Sequence, residues 1–123
     1  MYQALSDLCQ QAGTPKDDRA IKAIVICGAG DRAFAAGTDI GQFTAFETLR
    51  DGHDYEAQIE SVISSIETCR VPVIAALHGA VTGGGLVIAA AAHLRLASAD
   101  AKIGMPIART LGNCLAIANL RRL

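Results

Sequence analysis

The sequence predicts an α/β layered fold, and three observations carry that prediction. Two β-branched apolar runs, residues 21–27 and 73–77, have the length and composition of buried strands. Each is followed by a turn of small residues and then by apolar positions at helical spacing. Strands that alternate with helices need crossover connections, which favour a parallel sheet covered by helices.

Element by element, residues 1–12 carry Leu5, Leu8, Cys9 and Ala12 at helical spacing, and Gly13 with Pro15 ends that helix. Lys16-Asp17-Asp18-Arg19 reads as a solvated turn. The strand over 21–27 stops at Gly28-Ala29-Gly30, and a loop over 28–37 leads to Thr38 and Asp39. Asp39 is placed to cap a short helix reaching Phe43. A longer helix is predicted over 54–68, with Ile59, Val62, Ile63 and Ile66 inward. Pro72 precedes the strand over 73–77, and a glycine turn leads into a helix over 84–92. A third strand spans 94–97, a turn 98–101 and an extended segment 102–105, after which residues 112–123 look helical. The two strand, small-residue turn and helix units, 21–43 and 73–92, share a layout.

At 123 residues the chain is a single domain, with no low-complexity tract or linker to divide it. A net charge of −1 points to neither nucleic acid nor an anionic membrane as partner. Hydrophobic residues make up 51% with no Trp, so the core must be built from Ala, Val, Ile and Leu. That apolar load is high for so short a chain, and some apolar surface is expected to remain for a partner subunit or a missing part of the fold. Cys9, Cys27, Cys69 and Cys114 lack metal-ligand spacing and read as reduced, mostly buried thiols of a cytosolic protein. His53, His78 and His93 do not gather on a metal either. No signal peptide is visible. Residues 71–92 hold one ionisable group, His78, and are long enough to cross a bilayer, but Pro72, Gly79 and the glycine triplet break such a helix.

The chemistry concentrates at Thr82-Gly83-Gly84-Gly85. Glycines at a helix start leave unpaired N–H groups accessible at the positive end of the helix dipole, which suits an anion or oxyanion. The same glycines could serve only close backbone packing or a positive φ. A nucleotide phosphate site is disfavoured, because neither the Gly-Lys-[Ser/Thr] of a P-loop nor spaced dinucleotide-type glycines are present. A second small-residue turn, Ala35-Ala36-Gly37-Thr38-Asp39-Ile40, favours the oxyanion reading.

Three segments carry a family resemblance: Ala33-Phe34-Ala35-Ala36-Gly37-Thr38-Asp39-Ile40, Val71-Pro72-Val73-Ile74-Ala75-Ala76-Leu77-His78-Gly79, and Thr82-Gly83-Gly84-Gly85. With the continuation Leu94-Arg95-Leu96-Ala97-Ser98 through Lys102-Ile103-Gly104-Met105-Pro106, the chain resembles the crotonase superfamily, the enoyl-CoA hydratase/isomerase family. The resemblance spans nearly the whole chain. It implies a spiral of β-β-α units, here incomplete at both ends. The family's N-terminal strands and C-terminal helices lie outside the match, so about half of a normal member is expected.

The resemblance also implies an acyl-CoA thioester as ligand, with coenzyme A part of the substrate, no separate cofactor and no metal. Its oxyanion hole would be built from the Thr38 and Gly84 N–H groups. Such preorganised donors contribute about 3 kcal/mol each to a developing oxyanion in a water-poor site. Ala36, Asp39 and Ile40 resemble positions lining the coenzyme's adenine and pantetheine, and Gly83, Val87, Pro106 and Ile107 are further substrate-binding positions that the resemblance implies. Asp39 as a helix cap is the structural alternative. A homo-oligomer, trimer or hexamer, in the cytoplasm and in fatty acid metabolism is what the family suggests.

The chain departs from the pattern at two positions. Hydratases of this family place glutamates where Val87 and Ile107 stand, and neither side chain here can transfer a proton. Two-glutamate hydration is therefore expected to be absent. His78, Thr82, Arg109 and Thr110 are the nearby polar candidates for other chemistry. Each also has a structural reading: backbone bonding for His78, helix capping for Thr82, a surface or cap position for Arg109 and Thr110. Arg109 could instead hold a carboxylate or a coenzyme phosphate. The expectation is an acyl-CoA enzyme with an unassigned acid or base, or else a non-catalytic acyl-CoA-binding or assembly module.

Overall fold

A computed structural model describes residues 1–12, 21–38, 41, 45–106 and 116–123 of the chain. The elements run α1 (Tyr2–Ala12), β1 (Ile24–Cys27), β2 (Ala33–Ala35), α2 (Leu49–Glu67), β3 (Val73–Leu77), β4 (Ala80–Thr82), α3 (Gly84–Ala91), β5 (Leu94–Ala97), β6 (Lys102–Gly104) and a final turn of helix, α4 (Ile117–Leu120).

The strands divide between two three-stranded parallel sheets, β1-β3-β5 and β2-β4-β6. Each strand pair therefore places its first member in one sheet and its second in the other. Ile24 lies opposite Val73 and Ile74 opposite Leu94 in the first sheet, while Ala80 lies opposite both Ala33 and Lys102 in the second. β2 and β4 correct the expectation that residues 28–37 and the approach to the glycine triplet are plain turns. Both are only three residues long, too short to show an alternating pattern of their own, so their strand character comes from pairing with each other.

The core lies between α2, α3 and β3. Ile63, Ile66, Val73 and Val81 are fully buried, with Phe34, Leu77, Ile88 and Ala89 packed around them. α1 contributes Cys9 to this cluster and packs Tyr2, Leu5 and Ala12 against it. Leu8, expected inward, is 38% exposed, because the buried stripe of α1 runs through Ser6 and Cys9 instead. Helix α2 begins five residues before the expected Asp54, at Leu49. Thr48 and Asp51 form a reciprocal capping box there, which satisfies the first orphan donors.

Side chains lock the ends of these elements. The Val73 amide donates to His93 Nδ1 (2.9 Å), so the other ring nitrogen, 3.2 Å from the Glu67 carbonyl, carries the proton. Arg95 donates to the Ala90 and Ala92 carbonyls at 3.0 and 2.8 Å and caps the C-terminus of α3, where a cation complements the helix dipole.

Two further expectations need correction. The run over 21–27 reads as a buried strand, yet Val25 and Cys27 of β1 are exposed, and the apolar surplus also surfaces at Leu94, Leu96 and Ile103. Cys9 is buried, but Cys69 is only half-buried and Cys27 is exposed; Cys114 lies outside the described residues. The apolar run over 71–92 is divided among β3, β4 and α3, and no helix among the described residues is long and apolar enough to cross a membrane.

Candidate functional site

The site forms where the two small-residue turns meet. Strand β2 delivers the chain to Gly37, whose φ of +126° carries it around to Thr38. Strand β4 delivers it to Gly83, whose φ of +56° turns it into α3. Because β2 and β4 are neighbours in one sheet, their C-terminal ends emerge side by side. A Cβ built on Gly83 would stand 3.3 Å from Gly37 Cα.

The three glycines do different work. Gly83 supplies the positive φ at the N-cap of α3, and no side chain caps that end. A side chain on Gly85 would collide with the backbone carbonyl and methyl of Ala35, so this glycine lets α3 press onto β2. Gly84 faces other groups. A Cβ there would strike the Tyr2 hydroxyl and approach Thr38 Oγ1 to 2.9 Å. As the first residue of α3, Gly84 has an N–H without an intrahelical acceptor.

Thr38, Gly83 and Gly84 line one cleft of about 430 Å³. Its apolar wall is Ile59, Ile63, Val87 and Met105, and Val87 is only 4% exposed. Tyr2, Tyr55, Glu56 and Glu60 add polar groups to the lining. Tyr2 Oη and Thr38 Oγ1 are 2.7 Å apart. Burial pushes the Tyr55 phenol above its usual range, and the nearby Thr38 side chain pulls in the other direction.

Glu60 is already committed. Arg122 donates to both of its oxygens at 2.6 and 2.8 Å and reaches Glu67 at 2.7 Å. These bonds hold the Glu60 carboxyl below its ordinary range. Among the described residues, no three His, Cys, Asp or Glu side chains gather to hold a metal ion.

Of the residues singled out from the sequence, Thr38, Gly83, Gly84 and Val87 come together on the cleft. Ala36 is exposed at the end of β2, and Pro106 is exposed just past β6. Asp39, Ile40, Ile107, Arg109 and Thr110 lie outside the described residues. His78 bonds the Gly30 carbonyl at 3.0 Å, away from the cleft. Thr82 belongs to β4 and caps nothing, which corrects its reading as a helix cap.

Motif reading missed Tyr2 and Tyr55. Both continue the buried stripe of their helix, Tyr2 with Leu5, Cys9 and Ala12, and Tyr55 with Ile59, Val62, Ile63 and Ile66. Periodicity could have placed them inward, but not beside Thr38.

Comparison with known proteins follows the same geometry. The family model described as Enoyl-CoA hydratase/isomerase matches residues 2–115. A Bacillus subtilis protein named "Probable enoyl-CoA hydratase" is 39% identical over 106 residues, covering 86% of this chain and 40% of that protein. The fatty acid oxidation complex subunit alpha of Shewanella oneidensis is 38% identical over 93 residues, covering 74% of this chain and 13% of its own length. A solved enoyl-CoA hydratase/carnithine racemase from Magnetospirillum magneticum superimposes with a TM-score of 0.88 at 29% identity, covering 99% of this chain and 45% of that one. The chain thus spans less than half the length of each of these three relatives.

Proposed function

Because the chain belongs to the enoyl-CoA hydratase/isomerase family of the crotonase superfamily, we propose that its cleft receives the thioester of an acyl-CoA. The thioester carbonyl would accept hydrogen bonds from the Thr38 and Gly84 N–H groups. The observation that carries this reading is the meeting of the two turns, with Gly83 set against Gly37 and both Thr38 and Gly84 on one cleft. Donors fixed before the ligand arrives need no reorganisation when charge develops on the oxygen, and each is worth about 3 kcal/mol in a water-poor site. The apolar wall of Ile59, Ile63, Val87 and Met105 suits an acyl chain. Coenzyme A enters as part of the substrate, and the family suggests a trimer or hexamer.

Proton transfer by the two-glutamate route has no support here. Val87 stands on the cleft where a carboxylate is required, and Ile107 is apolar by sequence. This favours a second reading, acyl-CoA binding with carbonyl polarisation but without hydration.

Calorimetric titration with a non-hydrolysable acyl-CoA thioether tests the site. Saturable binding by the parent, lost in a folded Gly84→Val variant, is expected, because branched methyls at position 84 fill the space at Thr38. No binding by the parent overturns the proposal. Crotonyl-CoA hydration is expected to be absent, and hydration at ordinary enzyme rates would refute the reading of Val87 and Ile107.

A further inference from the structure

Resting on the acyl-CoA reading, we propose that the Tyr2 hydroxyl is a third hydrogen-bond donor to the thioester carbonyl, held in place by the Thr38 side chain. Three observations carry it. The first is contact: Tyr2 comes from α1 and Thr38 from the turn after β2, yet their oxygens are 2.7 Å apart on the wall of the cleft. The second is direction. The Tyr2 hydroxyl is the nearest group that a side chain at Gly84 would meet, so it stands over the residue whose N–H is assigned to the carbonyl oxygen.

The third is proton counting. The Tyr2 and Thr38 hydroxyls carry two protons, and their mutual hydrogen bond uses only one of them. When Thr38 donates to Tyr2, the remaining proton is on Tyr2, whose hydroxyl lines the cleft, and accepting that bond polarises the phenol and strengthens it as a donor. Tyr2 would then touch the reacting carbonyl, whereas Thr38 contributes its N–H directly and its hydroxyl as a positioning group. The arrangement also supplies a hydroxyl to the site where the carboxylate at position 87 is missing.

Tyr2→Phe tests this, because it keeps the ring that packs against the core and removes only the hydroxyl. Thr38→Val is the companion, since it keeps the backbone N–H and the branched shape but removes the hydroxyl that holds Tyr2. The probe is cinnamoyl-CoA, whose conjugated thioester absorbs at longer wavelength as its carbonyl is polarised. Affinity is read in parallel by calorimetry and fold by thermal melting.

The parent is expected to red-shift the probe. Tyr2→Phe is expected to reduce that shift and weaken binding about tenfold, the loss of one good hydrogen bond, and Thr38→Val to reduce the shift part-way. An unchanged shift in both variants overturns the proposal and leaves Tyr2 as an anchor for α1. Tighter binding by Tyr2→Phe also overturns it, by making the hydroxyl an obstacle. Binding with no shift in the parent, or no binding at all, overturns the acyl-CoA reading itself, which separates the two failures.

Discussion

Arg122 grips Glu60 through both carboxylate oxygens, at 2.6 and 2.8 Å, and the same guanidinium reaches Glu67 further along the same face of α2. The contact ties the turn after α4 to the middle of α2, and it withdraws from proton chemistry a half-buried carboxylate on the cleft. The Arg122 side chain is 12% exposed, against 41% for Glu60.

Arg122→Gln should therefore destabilise the fold by about 1 kcal/mol, the range for a well-formed forked pair with partly solvated carboxylates. Glu60 has a lowered folded pKa, so its contribution is fully present above the ordinary glutamate value of 4.5. It is lost as pH falls through the depressed folded value. Melting temperatures of parent and variant, compared between pH 7 and pH 3, should converge toward the acid end.

The glycine triplet offers a separation of structural from ligand-facing roles. Gly85→Ala should cost about 1–3 kcal/mol, because its methyl would press on Ala35 backbone that cannot move without disturbing β2. Gly83→Ala should cost about 1–2 kcal/mol through its left-handed backbone. Gly84→Ala should cost less than Gly85→Ala, since what it meets is side-chain hydroxyls, and should act mainly on ligand affinity. Urea denaturation beside calorimetry would check that ordering.

Restoring a carboxylate at position 87 should be costly at neutral pH. Val87 is 4% exposed, so a glutamate there would be held above its usual pKa by desolvation. Below the unfolded value both states are protonated and the penalty is small; as pH rises the unfolded state ionises first and the folded state loses ground. Val87→Glu should thus lie closer in stability to the parent at pH 4 than at pH 8, so that here too variant and parent converge toward the acid end.

The cysteines should react in order of exposure. Burial, with Cys69 alongside, pushes the Cys9 thiol up to about 11, while Cys27 is exposed on the edge strand β1. Brief iodoacetamide treatment of the native protein at pH 8, mapped by mass spectrometry, should label Cys27 well ahead of Cys9. Equal labelling in urea would show that the protection belongs to the fold.

The sequence carried the elements marked by an apolar run or helical stripe of their own. Val73 to Leu77 and Leu94 to Ala97 are strands at the expected residues, and the inward set of α2 is the expected one. What escaped local reading is structure defined by a distant partner. Ala33–Ala35 has no strand signature until Ala80–Thr82 lies beside it. The early start of α2 was hidden by Gly52, His53 and Asp54, weak helix formers that the Thr48 and Asp51 capping box outweighs. At the candidate site, Thr38 and Gly84 were visible as motif positions. Tyr2 and Tyr55 were not, because a phenol on a helical stripe reads as core until the turn it touches is known.

The alternation of strands between two sheets also governs the order in which the polypeptide can acquire structure. The four ladders are all parallel, and each joins strands from different β-β units: Ile24 needs Val73, and Ala80 needs Lys102. Neither sheet can begin as a local hairpin. During synthesis, β1 and β2 must leave the ribosome and remain unpartnered until α2 and the next unit have followed. Assembly therefore waits on chain growth, and the nascent protein passes through an interval in which open strand edges are exposed before they meet each other.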